Sequence, residues 1–119
     1  MIVATIILAS ALSGPAVAID GDTLAIGRAR VRLCGIDAPE RREPGGREAR
    51  AFLGGLIHGR RVRCEPVGTG TPCDGRSPPR SKGRVVAQCF VGRRDIARVL
   101  VQSGHARDWP RFSGGAYGR

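Results

Sequence analysis

Lysine is almost missing from this chain: of its 20 basic residues nineteen are arginine, and only Lys82 is not. Acids are scarce too, 10 against 20, which leaves a formal net charge of +10. Aromatics make up 4% of the residues, with a single Trp, Trp109, and a single Tyr, Tyr117. None of the four cysteines stands in a C-x-x-C pair, and His58 and His105 lie near no matching thiol. The familiar zinc signatures are therefore excluded. No apolar run reaches the ~20 residues that a membrane-spanning helix needs, and no internal repeat is present. The 119 residues suffice for one small domain.

What is there is a strong positive surplus. On a small domain it favours an anionic partner, nucleic acid first among them. Arginine presents a planar fork that grips phosphate at two points. A coding bias toward Arg, Gly and Ala accounts for the choice of Arg over Lys, but not for the net charge. The few acids are unevenly placed: Asp20, Asp22, Asp37 and Glu40 fall in two short motifs within twenty-one residues. Carboxylates gathered in a basic chain suit a hard cation such as Ca²⁺ or Mg²⁺.

The alternation of Val31 and Leu33 against Arg30 and Arg32 predicts a strand, and it runs into the stiff turn Asp37-Ala38-Pro39-Glu40. Pro39 fixes its own φ and pushes Ala38 out of the helical region. Upstream, residues 15–26 read as strand, Asp20-Gly21-Asp22 turn and strand, and Gly27-Arg28 turns into the Arg30 strand. Asp20 and Asp22 have a plainer reading as turn residues alone. Ala49, Phe52, Leu53, Leu56 and Ile57 lie at helical spacing, with Gly59 as the stop. Residues 61–67 and 84–91 read as strands around a Gly-, Pro- and Ser-rich stretch, 68–83, expected to be a mobile basic arm. If those strands form a hairpin, Cys64 and Cys89 could be cross-strand neighbours, leaving Cys34 with Cys73 or free thiols; the sequence leaves the connectivity open. Asp95 caps a second helix, 95–102, carrying Ile96, Val99 and Leu100. In the tail, Trp109 and Phe112 are expected to cover the core, the alternative being that they stack on bases.

Residues 1–12, MIVATIILASAL, are apolar and of the length of a signal-peptide core, with Ala9-Ser10-Ala11 as a small-residue cleavage site but no basic n-region. The expectation is an export signal or tether over 1–12, whole or truncated, and a single domain over 13–119. The protein would then be secreted or periplasmic. Cleavage after Ala18 also fits but would cut into a strand. The order of three strands, helix, two strands, helix predicts an α+β fold, an OB-fold-like five-stranded antiparallel barrel with two or three helices.

The segments Asp20-Gly21-Asp22-Thr23, RLCGIDAPE (32–40), GREARAFL (46–53), Gly83-Arg84 and DIARVLVQSGHA (95–106), taken in this order, resemble the staphylococcal nuclease (thermonuclease) family over about residues 15–112. The resemblance implies a Ca²⁺-dependent phosphodiesterase acting on DNA and/or RNA. It implies Asp22, Asp37 and the Ala38 backbone carbonyl as Ca²⁺ ligands, Glu40 as general base or water-positioning group, Arg32 and Arg84 as phosphate-gripping residues, and Asp20 behind the ligands. Family members often have Thr where Ala38 stands, and commonly carry Asp and Tyr shortly before the second arginine, where this chain has Arg80-Ser81-Lys82-Gly83. The stretch before Arg84 is longer than usual, and the sequence ends short of a C-terminal helix found in some members. The protein is expected to act as a monomer without a stable membrane span. The competing reading is a non-catalytic OB-fold nucleic-acid-binding module; a small structural or interaction domain would leave the clustered acids unexplained.

Overall fold

The computed structural model describes residues 12–118. The signal or tether expected over 1–12 therefore lies outside the described residues except for Leu12, which already belongs to a strand. Five long strands form the barrel: β1 (Leu12–Asp20), β2 (Thr23–Ile26), β3 (Ala29–Leu33), β5 (Arg61–Pro66) and β7 (Arg84–Val91). β1 serves two neighbours in turn. Its first residues, Leu12 to Pro15, pair with β5, and Ala16 to Asp20 pair with β2. That dual pairing carries the strand three residues upstream of the expected start at Pro15. The β1–β2 register slips between Ala18 and Asp20, a bulge that re-aims the end of the strand.

Four of the five barrel pairings are antiparallel. The fifth corrects the all-antiparallel expectation: β3 lies parallel to β7, with Val31 opposite Val85 and Leu33 opposite Ala87, and this pairing closes the barrel. The partners are more than fifty residues apart in sequence, so no local pattern announces it. Short strands complete the structure. β4 (Ile36–Asp37) pairs with β9 (Arg107–Asp108), while β6 (Arg80–Ser81) and β8 (Arg94–Asp95) pair with β7.

Helix α1 (Gly46–Ile57) buries Ala49, Leu53 and Ile57 against the barrel. Burying Leu53 and Ile57 stabilises by about 1.5–3 kcal/mol each. That outweighs the roughly 1 kcal/mol by which Gly54 and Gly55 each weaken the helix relative to Ala. Helix α2 (Ile96–Gln102) is capped by the Asp95 carboxylate, which accepts from the Ala97 N–H at 3.1 Å. A third helix among the described residues is one turn, α3 (Pro110–Ser113).

Both cysteine pairs are disulfides. Cys64–Cys89 bridges directly opposed residues of β5 and β7 inside the core, and Cys34–Cys73 ties the loop before β6 to the end of β3. That loop is not the free arm expected from its composition. Besides the disulfide, the Asp74 carboxylate accepts from the N–H groups of Gly68 and Gly70 and from the Thr71 hydroxyl at 2.6–2.7 Å. The expectation for the tail is also corrected. Tyr117, 1% exposed, fills the core position, whereas Trp109 is 39% exposed. Tyr117 can be buried because its hydroxyl finds Asp95 at 2.7 Å; a phenol without such a partner would be costly inside.

Candidate active site

Two turns and one hairpin build the site. The first turn joins β1 to β2 through Gly21. A Cβ there would lie 2.7 Å from the Ala49 Cβ and 3.0 Å from the Ala38 Cβ. Only glycine lets this turn sit against both α1 and the second turn, Asp37 to Glu40. The contact is locked by Asp22, whose Oδ2 accepts from the Ala38 N–H at 3.1 Å while its Oδ1 accepts from the Thr23 hydroxyl at 3.1 Å. The hairpin is β6–β7. Its two-residue connection, Lys82-Gly83, has φ of 52° and 78°, the left-handed pair that a tight hairpin turn demands. It delivers Arg84 at the first position of β7, where Nε donates to the Ser81 carbonyl at 3.1 Å and Nη1 to the Thr23 hydroxyl at 3.3 Å.

Asp20, Asp22, Arg32, Asp37, Ala38, Glu40 and Arg84 all line one open cleft of about 1080 Å³. Every residue singled out from the sequence is therefore on this one surface. Arg32, projecting from β3, donates to the Leu33 carbonyl and sits 3.5 Å from Asp22. Burial lowers the pKa of its guanidinium from the ordinary arginine value; Asp22 opposes that shift, the positive charge of Arg84 adds to it, and Asp37 opposes it. Two cations are thus held within reach of each other on a partly dry surface. An anion between them would relieve the repulsion.

The carboxylates differ in how they are held. Asp22 is almost buried and hydrogen-bonded on both oxygens. Asp37 is about half exposed; among the described residues its one ion pair is with the Arg107 guanidinium, at 3.9 Å. Glu40 is exposed, and its backbone N–H donates to Glu43. Its own carboxylate has no hydrogen-bond or ion-pair partner among the described residues. Asp20 instead pairs with Arg41 at 3.3 Å, at the edge of the cleft.

Asp22, Asp37 and the Ala38 carbonyl are hard oxygen donors of the kind a divalent hard cation takes. Among the described residues no group of three or more His, Cys, Asp or Glu side chains gathers to hold a metal by itself. An ion here would complete its shell with backbone carbonyl, water and substrate oxygens. The donor set fits a partly hydrated cation, not a closed structural site.

The sequence assigns Thr23 no role, although it holds two residues of the cleft. Thr23 links Asp22 to Arg84 through one hydroxyl; it stands in the Asp-Gly-Asp-Thr segment, which is the signal that could have singled it out. Trp109 and Phe112, for which stacking on bases is the alternative reading of the tail, line the cleft, edge to face at 4.8 Å. They arrive because β9 pairs with β4 and the Trp109 N–H donates to the Gly35 carbonyl at 2.8 Å. Two-residue strands leave no periodicity to read, so this placement had no local signal.

Residues 30–114 match the model of the family described as Staphylococcal nuclease homologue. That stretch takes in Arg32, Asp37, Ala38, Glu40 and Arg84 and begins after Asp20 and Asp22. The chain is also 33% identical over 121 residues to the succinoglycan biosynthesis protein ExoI of Rhizobium meliloti (strain 1021), a match covering 92% of this chain and 58% of that relative.

Proposed function

We infer the function from one premise: the chain belongs to the staphylococcal nuclease homologue family. On that premise the protein is a Ca²⁺-dependent nuclease that hydrolyses phosphodiester bonds of DNA, RNA or both. The observation carrying this reading is the meeting of Arg32 and Arg84 with Asp22, Asp37 and Glu40 in one cleft.

The chemistry needs these groups together. A phosphodiester repels nucleophiles through its own negative charge. Arg32 and Arg84 hold the non-bridging oxygens and stabilise the extra charge that develops on them in the transition state. Glu40, with an unengaged carboxylate facing water, takes a proton as water adds to phosphorus, a contribution of typically ~10²–10⁴-fold; the opposite P–O ester bond breaks, and the departing sugar oxygen takes a proton from solvent. A Ca²⁺ held by Asp22, Asp37 and the Ala38 carbonyl would supply further positive charge to the phosphate and an anchor for water. Thr23 keeps Asp22 and Arg84 in register. Trp109 offers a partly exposed face on which a base can stack, in place of the aromatic missing before Arg84.

All these residues come from one chain, which supports action as a monomer. Two disulfides support an oxidising location, extracellular or periplasmic. Among the described residues no helix is long and apolar enough to cross a membrane. The relative named for succinoglycan biosynthesis suggests a polysaccharide setting as a second reading, but paired guanidiniums favour an anionic diester over a neutral glycosidic bond. Since this chain spans 58% of that relative, nothing more is carried across.

The test is cleavage of single-stranded DNA and of RNA with added Ca²⁺ and with a chelator. Turnover with Ca²⁺ that vanishes in chelator is expected. Turnover indifferent to the chelator would overturn the metal's role. Salt-sensitive binding without any turnover would favour a binding module instead.

A further inference from the structure

A second hollow, of about 720 Å³, lies between β1 and helix α1 and includes Arg41 in its lining. Its lining has no carboxylate. Arg47, Arg50, Ala51, Gly54 and His58 follow one another at helical spacing, a stripe of α1 separate from the one that faces the core. Glu48, the acid of this helix, falls off the stripe. The floor is apolar, and Val17, 65% exposed, stands across from the helix. Arg41 lines both this hollow and the catalytic cleft. The two hollows thus share the Arg41 side chain, which is ion-paired to Asp20 of the cleft lining.

We propose that this groove is the track along which a single-stranded polynucleotide runs out of the catalytic cleft, its phosphates on Arg41, Arg47 and Arg50 and its sugar and base faces on the apolar floor around Val17. This rests on the nuclease reading above. Charge complementarity and continuity with the cleft select the occupant: a polyanion already held at one end by Arg32 and Arg84 meets a line of guanidiniums where it leaves. Rows of phosphate-binding side chains beside apolar surface suit a single strand, whose base faces are free, better than a duplex, whose base faces are stacked inside. Arg47 and Arg50 lie outside the catalytic cleft, so the track adds hold on the substrate without touching the reacting atoms.

The double variant Arg47→Gln with Arg50→Gln tests this. Both residues are exposed, so the fold should survive; circular dichroism and the melting temperature check that. Binding of a long oligothymidylate is measured in chelator against salt concentration. Each phosphate contact on a single strand contributes about 0.7 to the slope of log affinity on log salt, so removing two arginines should flatten it by about 1.4. In Ca²⁺, KM for the long oligothymidylate should rise several-fold, with kcat and the rate on a thymidine dinucleotide unchanged. A duplex competitor should lose little between wild type and variant. Should the wild type bind with the expected slope difference yet never cleave, the track stands and the nuclease reading fails. An unchanged slope overturns the track. So does an equal loss of rate on dinucleotide and long strand. Sedimentation that shows a dimer dissolved by the two substitutions, with nucleic-acid binding intact, assigns the groove to a second copy and overturns the proposal as well. Val17→Glu, a charge placed on the floor, is the second variant: it should weaken long-strand binding at low salt and leave the dinucleotide rate alone.

Discussion

Behind helix α2 the Asp95 carboxylate accepts from the Tyr117 hydroxyl at 2.7 Å, from Gln88 at 2.9 Å and from the Ala97 N–H at 3.1 Å. Nearby, Asp108 accepts from the Ser113 hydroxyl and the Tyr117 N–H. Among the described residues, Glu40 in the cleft has no hydrogen-bond or ion-pair partner for its carboxylate, and Asp37 has a single ion pair, with Arg107 at 3.9 Å. The same residue type is saturated in one region and left open in the other. Buried polar groups must be paired, because an unsatisfied one costs about 1–3 kcal/mol; exposed ones carry no such demand. A carboxylate whose lone pairs are taken by the fold holds the fold. One that is open to solvent and aimed into a cationic cleft can take a proton or a cation. Asp22 belongs to both classes, since it fastens the two turns together while lining the cleft.

The sharpest way to break the comparison is Glu40→Gln. If the open carboxylate takes the proton from water, kcat falls about 10²–10⁴-fold while the melting temperature stays within error of the wild type. A drop in stability of the size of a core substitution would show that Glu40 belongs with the saturated group after all.

The disulfides divide in a similar way. Replacing both cysteines of either pair by Ala should cost about 2–5 kcal/mol, as measured by denaturant unfolding. Cys64–Cys89 lies within the core and should cost stability alone. Cys34–Cys73 joins the end of β3 to the loop that brings Ser77, Ser81 and Lys82 to the cleft. Its loss should also raise KM. Equal kinetic effects from the two pairs would erase the distinction.

Tyr117→Phe is the matching change in the saturated region. It deletes a hydrogen bond to an ionised acceptor, worth about 1.5–3 kcal/mol, and leaves Asp95 with two donors. Urea unfolding should shift by that amount, and turnover should not change. Burial, with Asp95 next to it, drives the phenol's pKa upward, so the hydroxyl stays a donor throughout the usual pH range.

These two regions were not equally legible. The open site sits on motifs that are continuous in sequence. Asp20-Gly21-Asp22 and Asp37 to Glu40 each lie in one turn, and the alternation of Arg30 and Arg32 against Val31 and Leu33 puts Arg32 on the cleft side. The core stripe of α1 and the Asp95 cap were legible for the same reason, since period and position are local. The saturated region is assembled from residues 88, 95, 108 and 117, joined only by tertiary contacts. With no periodicity in the tail, the sequence points to Trp109 and Phe112 as the core cover and singles out nothing at Tyr117. What decided otherwise was a hydrogen-bond partner, Asp95, whose position no pattern in the tail encodes. The parallel β3–β7 closure was hidden by the same long separation.

Burial and saturation coincide at Asp95, so a surface carboxylate is needed to separate them. Asp74 is one: it lies at the surface, yet it accepts from the Thr71 hydroxyl and from the N–H groups of Gly68 and Gly70. Those donors, the Thr71 hydroxyl foremost, hold its pKa down at about 2 against an ordinary 3.8. A depressed folded value means the loop's extra stability is fully present above the ordinary carboxylate range and is lost as pH falls through about 2. The amide resonances of Gly68 and Gly70 should therefore titrate near that low value, and Asp74→Asn should release both amides to faster hydrogen exchange with no change in turnover. A midpoint in the ordinary carboxylate range would mean that bonding without burial does not hold a carboxylate, and that the contrast between the cleft and the Tyr117 region is one of depth alone.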